Sequence, residues 1–221
     1  MEEPIIIAAQ ILAITLVLTV HEFAHAYTAY KFGDPTAKLA GRMTLNPLKH
    51  FDAIGLVAFI LTRFGWAKPV PINPYNFKDK KKGYLWTSTA GILVNYTTAI
   101  LVYPIFSYIG KNVEYTYVTL FFYMFFFYMY HCSLSFSVFN LLPLYPLDGF
   151  RIVESVDQKH KKIQTFLRKY SSYILIGLIL IHYLSDKLSF LMYIDLLGFA
   201  LNHIIHLLAM PIEWFWSIFN L

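Results

Sequence analysis

Four stretches of the chain stay apolar for longer than a soluble helix requires. Residues 4–30, 84–109, 115–142 and 188–210 are built largely of Ile, Leu, Val, Phe and Tyr. Each is long enough to cross a hydrocarbon core of about 30 Å as a helix. A fifth stretch, 170–184, is shorter and carries no acid or lysine. With 188–210 it predicts a tight helical hairpin. Residues 54–62 are also apolar, but so short a patch between Asp52 and Arg63 suits a re-entrant or membrane-surface element rather than a span. Residues 64–77 interleave aromatics with Pro69, Pro71 and Pro74, which favours extended backbone. The pattern predicts an all-α polytopic membrane protein of about five transmembrane helices, with a short re-entrant element.

Composition agrees. The chain is 57% hydrophobic and 14% charged, against roughly 25% charged in a soluble domain, so a soluble globule is excluded. The net charge of +5 does not indicate a nucleic-acid partner, because the basic residues lie between apolar stretches where membrane anchoring accounts for them. If 54–62 does not cross, all of the 18 Lys and Arg except Lys111 and Lys187 fall on one face. That face is expected to be cytosolic, with the N-terminus outside. The opening Met1-Glu2-Glu3-Pro4 is acidic where a cleavable signal is basic, so the first stretch is expected to remain as a span. Trp214, Phe215, Trp216 and Phe219 mark the tail as an interfacial anchor. The lone Cys132 can form neither an intramolecular disulfide nor a thiolate metal site. No repeat or linker divides the chain, and its expected organisation is a core over 1–158 followed by a C-terminal hairpin and tail over 159–221.

Chemistry enters inside the first span, at His21-Glu22-Phe23-Ala24-His25. Residues four apart share a helix face, so His21 and His25 can offer imidazole nitrogens to one zinc ion, with Glu22 beside them as general base. Ionisable residues are costly within a span and call for a paired or metal-bound role. At 1.5 Å per residue the pair lies roughly 8–15 Å from Lys31, submerged but nearer the basic face. A catalytic zinc wants a third protein ligand. Asp148 is a candidate, because Pro143 and Pro146 break the helix before it and could carry a carboxylate back to the metal. The alternative is an ordinary Asp-Gly turn in a cytosolic loop.

Together, the HExxH motif and Asn140-Leu141-Leu142-Pro143-Leu144-Tyr145-Pro146-Leu147-Asp148-Gly149 closely resemble the site-2 protease family of intramembrane zinc metalloproteases. Gly33-Asp34-Pro35-Thr36-Ala37 and the segments 41–47 and 65–74 resemble stretches of its compact prokaryotic members. The resemblance covers about residues 16–153 and implies one Zn2+ per chain held by His21, His25 and Asp148, with Glu22 as catalytic base. It also implies a three-helix catalytic core and a membrane-associated β element near the site, to whose edge over 70–73 an unwound substrate could pair. In the family's Gly-Pro-x-x-Asn-like element this chain has Gly91-Ile92-Leu93-Val94-Asn95, with isoleucine in the proline position. Asn95, and as a second candidate Asn140, could bind substrate backbone or the developing oxyanion, or merely bridge helices. The resemblance implies single-span membrane proteins as substrates, the lipid bilayer as environment, a prokaryotic cell membrane as location, and room for a regulatory membrane partner.

Two other function classes use the same ligands. A membrane metal transporter or sensor would need polar residues across the bilayer, and the other spans supply few carboxylates. An inactive adaptor that binds transmembrane segments would have no need of Glu22. His203 and His206 share a helix face without an acidic neighbour and read as packing or interfacial residues.

Overall fold

The computed structural model describes residues 2–52, 54–55, 67–156, 161–185 and 187–220. Helix α1 spans Glu2–Lys31, with acids in its first turn and Lys31 in its last, both complementing the helix dipole. A short α2 covers Thr36–Leu39. Helix α3, Lys80–Asn112, is N-capped by Asp79, whose side chain accepts from Lys82 N–H. Helix α4, Tyr117–Leu141, opens on a capping box between Thr116 and Thr119. There follow α5 (Asp148–Val156), α6 (Lys161–Ser185) and α7 (Leu196–Ser217). No strand occurs among the described residues.

Four helices, α1, α3, α4 and α7, are long and apolar enough to cross a membrane. The chain is thus an all-α polytopic membrane protein. Helix α6 contains the predicted fifth stretch but does not meet that measure, because its first half carries Lys161, Lys162, Arg168 and Lys169. The predicted stretch 188–210 divides differently. Residues Ser189–Ile194 form a 3-10 helix, and α7 begins after Asp195, which caps it through Gly198 N–H. It then continues through Pro211 to Ser217. The predicted re-entrant patch 54–62 lies outside the described residues beyond Gly55.

Helices α1, α3 and α4 pack against one another. Small residues are fully buried on all three, among them Ala9 and Ala13 of α1, Ala99 of α3 and Ser133 of α4. Lipid tails are as apolar as leucine, so close backbone approach takes the place of the hydrophobic drive between helices. Helix α7 adds to this core on the side of α3 and α4, where Ala209 and Ile212 join Ala99, Val102, Tyr130 and Leu134. Pro104 within α3 has no N–H for the Ile100 carbonyl. The Trp216 indole N–H donates to that carbonyl instead, at 2.9 Å. Part of the tail read as an interfacial anchor therefore packs in the core, while Trp214, Phe215 and Phe219 are exposed.

Between α2 and α3 the described chain from residue 67 to 73 is neither helix nor strand, so the expected β element is not formed over 70–73. It leads through an extended Asn73 into a 3-10 turn, Pro74–Asn76. Several hydrogen bonds fasten it over the end of α1. Arg42 Nη2 donates to the Lys68 carbonyl, and Lys68 N–H donates to the His50 carbonyl. Asp34, fully buried, accepts from Asn73 N–H, from Asn76 Nδ2 and from the hydroxyl and N–H of Thr36. Burial works against its charge, but these donors hold its carboxyl below the ordinary carboxylate range.

Candidate metal centre

The HExxH residues occupy one turn of α1, well inside the helix. Helical spacing brings His21 and His25 onto one face, with their Nε2 atoms 3.0 Å apart. The third group comes from a different element. Helix α4 ends at Leu141, and Pro143 and Pro146 prevent it from continuing. The chain folds back through two short turns, Leu144 N–H to Leu142 carbonyl and Leu147 N–H to Leu144 carbonyl. Helix α5 then starts at Asp148. Gly149 permits this re-entry, since a Cβ there would lie 2.3 Å from the Leu141 carbonyl oxygen. Asp148 is accordingly not in a surface turn. It is buried, and its Oδ2 lies 3.3 Å from His21 Nε2 and 3.1 Å from His25 Nε2.

The donor chemistry of this cluster suits a metal ion. His25 Nδ1 stands 2.6 Å from the Thr87 carbonyl, which can only accept. Nδ1 therefore carries the hydrogen, and in the neutral ring Nε2 presents its lone pair to Asp148 and His21. Asp148 Oδ2 is itself buried without a hydrogen-bond partner. Three potential ligand atoms, one each from His21, His25 and Asp148, thus converge within 4.8 Å of one another. A tetrahedral ion with bonds of about 2.1 Å would set such atoms about 3.4 Å apart, close to the separations found. Space for the rings comes from Gly91 on α3, where a Cβ would fall 2.4 Å from His21 Cε1 and 2.5 Å from His25 Nε2.

The other predicted residues fall into two groups. Glu22 lines a cavity of about 180 Å³ together with both histidines, Val70, Asn140, Asp148 and Arg151. Its Oε2 accepts from the Val70 backbone N–H at 2.7 Å. Asn140 lines the same cavity, and its Nδ2 donates back to the Phe136 carbonyl. Asn95 is fully enclosed, with its amide nitrogen 3.1 Å from His21 Nδ1. Its Oδ1 is buried without a partner. His203 and His206 line a separate cavity on α7, away from the cluster. The Thr87 carbonyl and the Val70 amide are main-chain groups that no residue type marks. Arg151 does carry a signal in the chain, its place one helical turn after Asp148.

Known proteins resemble this chain over much of its length. A family model described as Peptidase family M50 matches residues 9–182. The chain is 41% identical over 150 residues to the "Putative zinc metalloprotease YwhC" of Bacillus subtilis, covering 66% of this chain and 68% of that protein. It is 34% identical over 91 residues to the "Putative zinc metalloprotease Rip2" of Mycolicibacterium smegmatis, spanning 34% of that protein's length. The Mycobacterium tuberculosis protein of the same name is 26% identical over 151 residues, with 52% of its length covered. No solved structure matches the chain. On the family match and the YwhC relationship, this chain belongs to peptidase family M50, the site-2 protease family.

Proposed function

We propose that this protein is a zinc metalloprotease that hydrolyses peptide bonds within or beside the transmembrane segments of other membrane proteins. The observation that carries the reading is the convergence of His21, His25 and Asp148, inside a membrane helix bundle, at one wall of a cavity that also holds Glu22. In this reading the three converging side chains are the zinc ligands, one ion per chain. Bound Zn2+ supplies Lewis acidity, acidifying a water molecule and polarising a carbonyl. Glu22 takes the proton of the attacking water and returns it to the leaving amine. The Val70 N–H holds one of its oxygens, leaving the other to face the cavity.

The remaining groups set up this chemistry. Thr87 fixes the tautomer of His25 through its carbonyl. For His21 to ligate through Nε2, its Nδ1 must carry the hydrogen, so Asn95 must accept it. Turning the Asn95 amide by half a rotation puts Oδ1 there as the acceptor of that hydrogen. Asn140, at the cavity wall, is the better placed of the two amides to meet substrate. A substrate helix hides its carbonyls in its own hydrogen bonds and must open before it can be cut. Among the described residues the Ile72 N–H and the Val70 carbonyl take no hydrogen bond. They offer an opened peptide two partners in a dry setting. In this reading the ligand cluster lies nearer the cytosolic face, with the N-terminus outside, and the one-sided distribution of basic residues supports that orientation.

Elemental analysis of the purified chain in detergent tests the ligand set, together with cleavage of single-span peptides. About one zinc per chain, lowered in Asp148→Ala, is expected, with cleavage lost but zinc retained in Glu22→Gln. Cleavage should also slow in Ile72→Pro, which removes the free N–H. Zinc unchanged in Asp148→Ala would exclude it as third ligand, and a well-folded wild type without zinc would exclude the mechanism.

A further inference from the structure

A second cavity, of about 250 Å³, lies beside the first and is lined by Ile72, Pro74, Tyr84, Thr87, Arg151 and Arg168, among others. Arg151 is common to the walls of both cavities. The segment from 67 to 74 also borders both, with Pro69 and Val70 at the ligand cluster and Ile72 and Pro74 at the second cavity. A peptide lying along this segment with its scissile bond at the cluster reaches the second cavity two to four residues further on, about 7–13 Å away.

The charges of this region are not equally engaged. Arg168 is held by Glu154 and stands over the rings of Tyr145 and Phe150. Glu154 also accepts from the Tyr84 hydroxyl at 3.0 Å. Asp148 faces the two histidines, and Glu22 accepts from Val70. Arg151 is different. Its guanidinium forms no hydrogen bond among the described residues, and its one ionic neighbour is Asp148 Oδ1 at 3.8 Å. Its side chain is 28% exposed, toward the cavities that it lines. The Thr87 hydroxyl, on the wall of the second cavity, is buried without a partner. The cavity thus offers a planar fork of unused cationic donors and a second arginine whose field is only locally balanced. A carboxylate matches this arrangement, since guanidinium can bind it bidentately.

We infer that Arg151 forms a subsite for an acidic side chain of the substrate, two to four residues from the scissile bond. This rests on the proteolytic reading above and gives it a substrate preference: membrane segments with Asp or Glu just beyond the cleaved bond, toward the basic ends of α1 and α3.

The test uses the full chain in detergent with single-span peptides whose cleavage site is mapped by mass spectrometry. Each of the four positions on either side of the site carries Asp, Asn or Lys in turn. Cleavage is measured as kcat/KM, and binding as fluorescence anisotropy on Glu22→Gln. At one position two to four residues away, Asp should exceed Asn by about tenfold in both measurements. Arg151→Gln should bring that ratio to about one, and Arg151→Glu should turn it in favour of Lys. The inference is overturned if wild type prefers Asp at none of these positions, or if the Asp preference survives in both variants. It is also overturned if Arg151→Gln lowers zinc content and weakens all peptides alike, which would make Arg151 a support for Asp148. Absence of any cleavage by zinc-loaded wild type would instead fell the proteolytic reading, and the binding ratios would still decide the subsite.

Discussion

At the scale of single residues, the candidate site depends as much on what is missing as on what is present. Gly91 leaves room for the two imidazoles, and alanine there would put a methyl group in contact with both rings. Alanine is favoured over glycine in a helix by about 1 kcal/mol. Gly91→Ala is therefore expected to keep its helical circular dichroism while losing most of its zinc, and retained zinc would show that the rings can move aside. Asp34 gives a prediction in pH. Its folded carboxyl titrates below the usual value, so its contribution is complete above the unfolded pKa of about 4 and is lost as pH falls through the lower folded value. Protection of residues 67–77 from hydrogen exchange should weaken below about pH 4, and Asp34→Asn should flatten that dependence. Of these residues, the histidines and Glu22 could be read from the chain by type and spacing, whereas Asp148 stood open against an ordinary turn until the resemblance singled it out. The carbonyl of Thr87 and the amide of Val70 could not be read, because every residue has such groups and only the fold selects among them.

At the scale of elements, the apolar runs located α1, α3 and α4 to within a few residues. The predicted 84–109 became Lys80–Asn112 because the Asp79 cap starts the helix among lysines, outside the apolar run. The predicted 188–210 failed at both ends for local reasons. Asp195 can cap a helix, so α7 starts there. Pro211 does not stop it, because the helix is held by packing against α3 and α4. The nine-residue α5 was not foreseen, since nothing in hydropathy separates it from the basic segment around it. The pairing of Trp216 with the Ile100 carbonyl is likewise a product of two distant sequence features, Pro104 and an aromatic tail. Trp216→Phe should destabilise the bundle by about 1–3 kcal/mol, the cost of an unmet buried carbonyl. Pro104→Ala in the same chain should recover much of this, because residue 104 then supplies its own N–H. A thermal-shift cycle over the four proteins reads the coupling, and additive losses would deny it.

At the scale of the whole molecule, hydropathy and charge were enough to indicate a membrane-embedded bundle, because a bilayer admits few alternatives. How its helices meet was legible only through the resemblance. His21 and His25 ride on α1, whereas Asp148 opens α5 after the return from α4. A metal ion gripped by all three is then a rivet through separate parts of the fold, and removing it takes away mechanical strength along with chemistry. Free zinc should raise the unfolding midpoint, with each tenfold increase above the dissociation constant adding about 1.4 kcal/mol. Asp148→Ala should largely lose that response, as measured by thermal unfolding at buffered zinc concentrations, and an equal response in both would place the rivet elsewhere. A cell short of zinc would then hold not a dormant copy of this protein but a loosened one, open to degradation where the helices part.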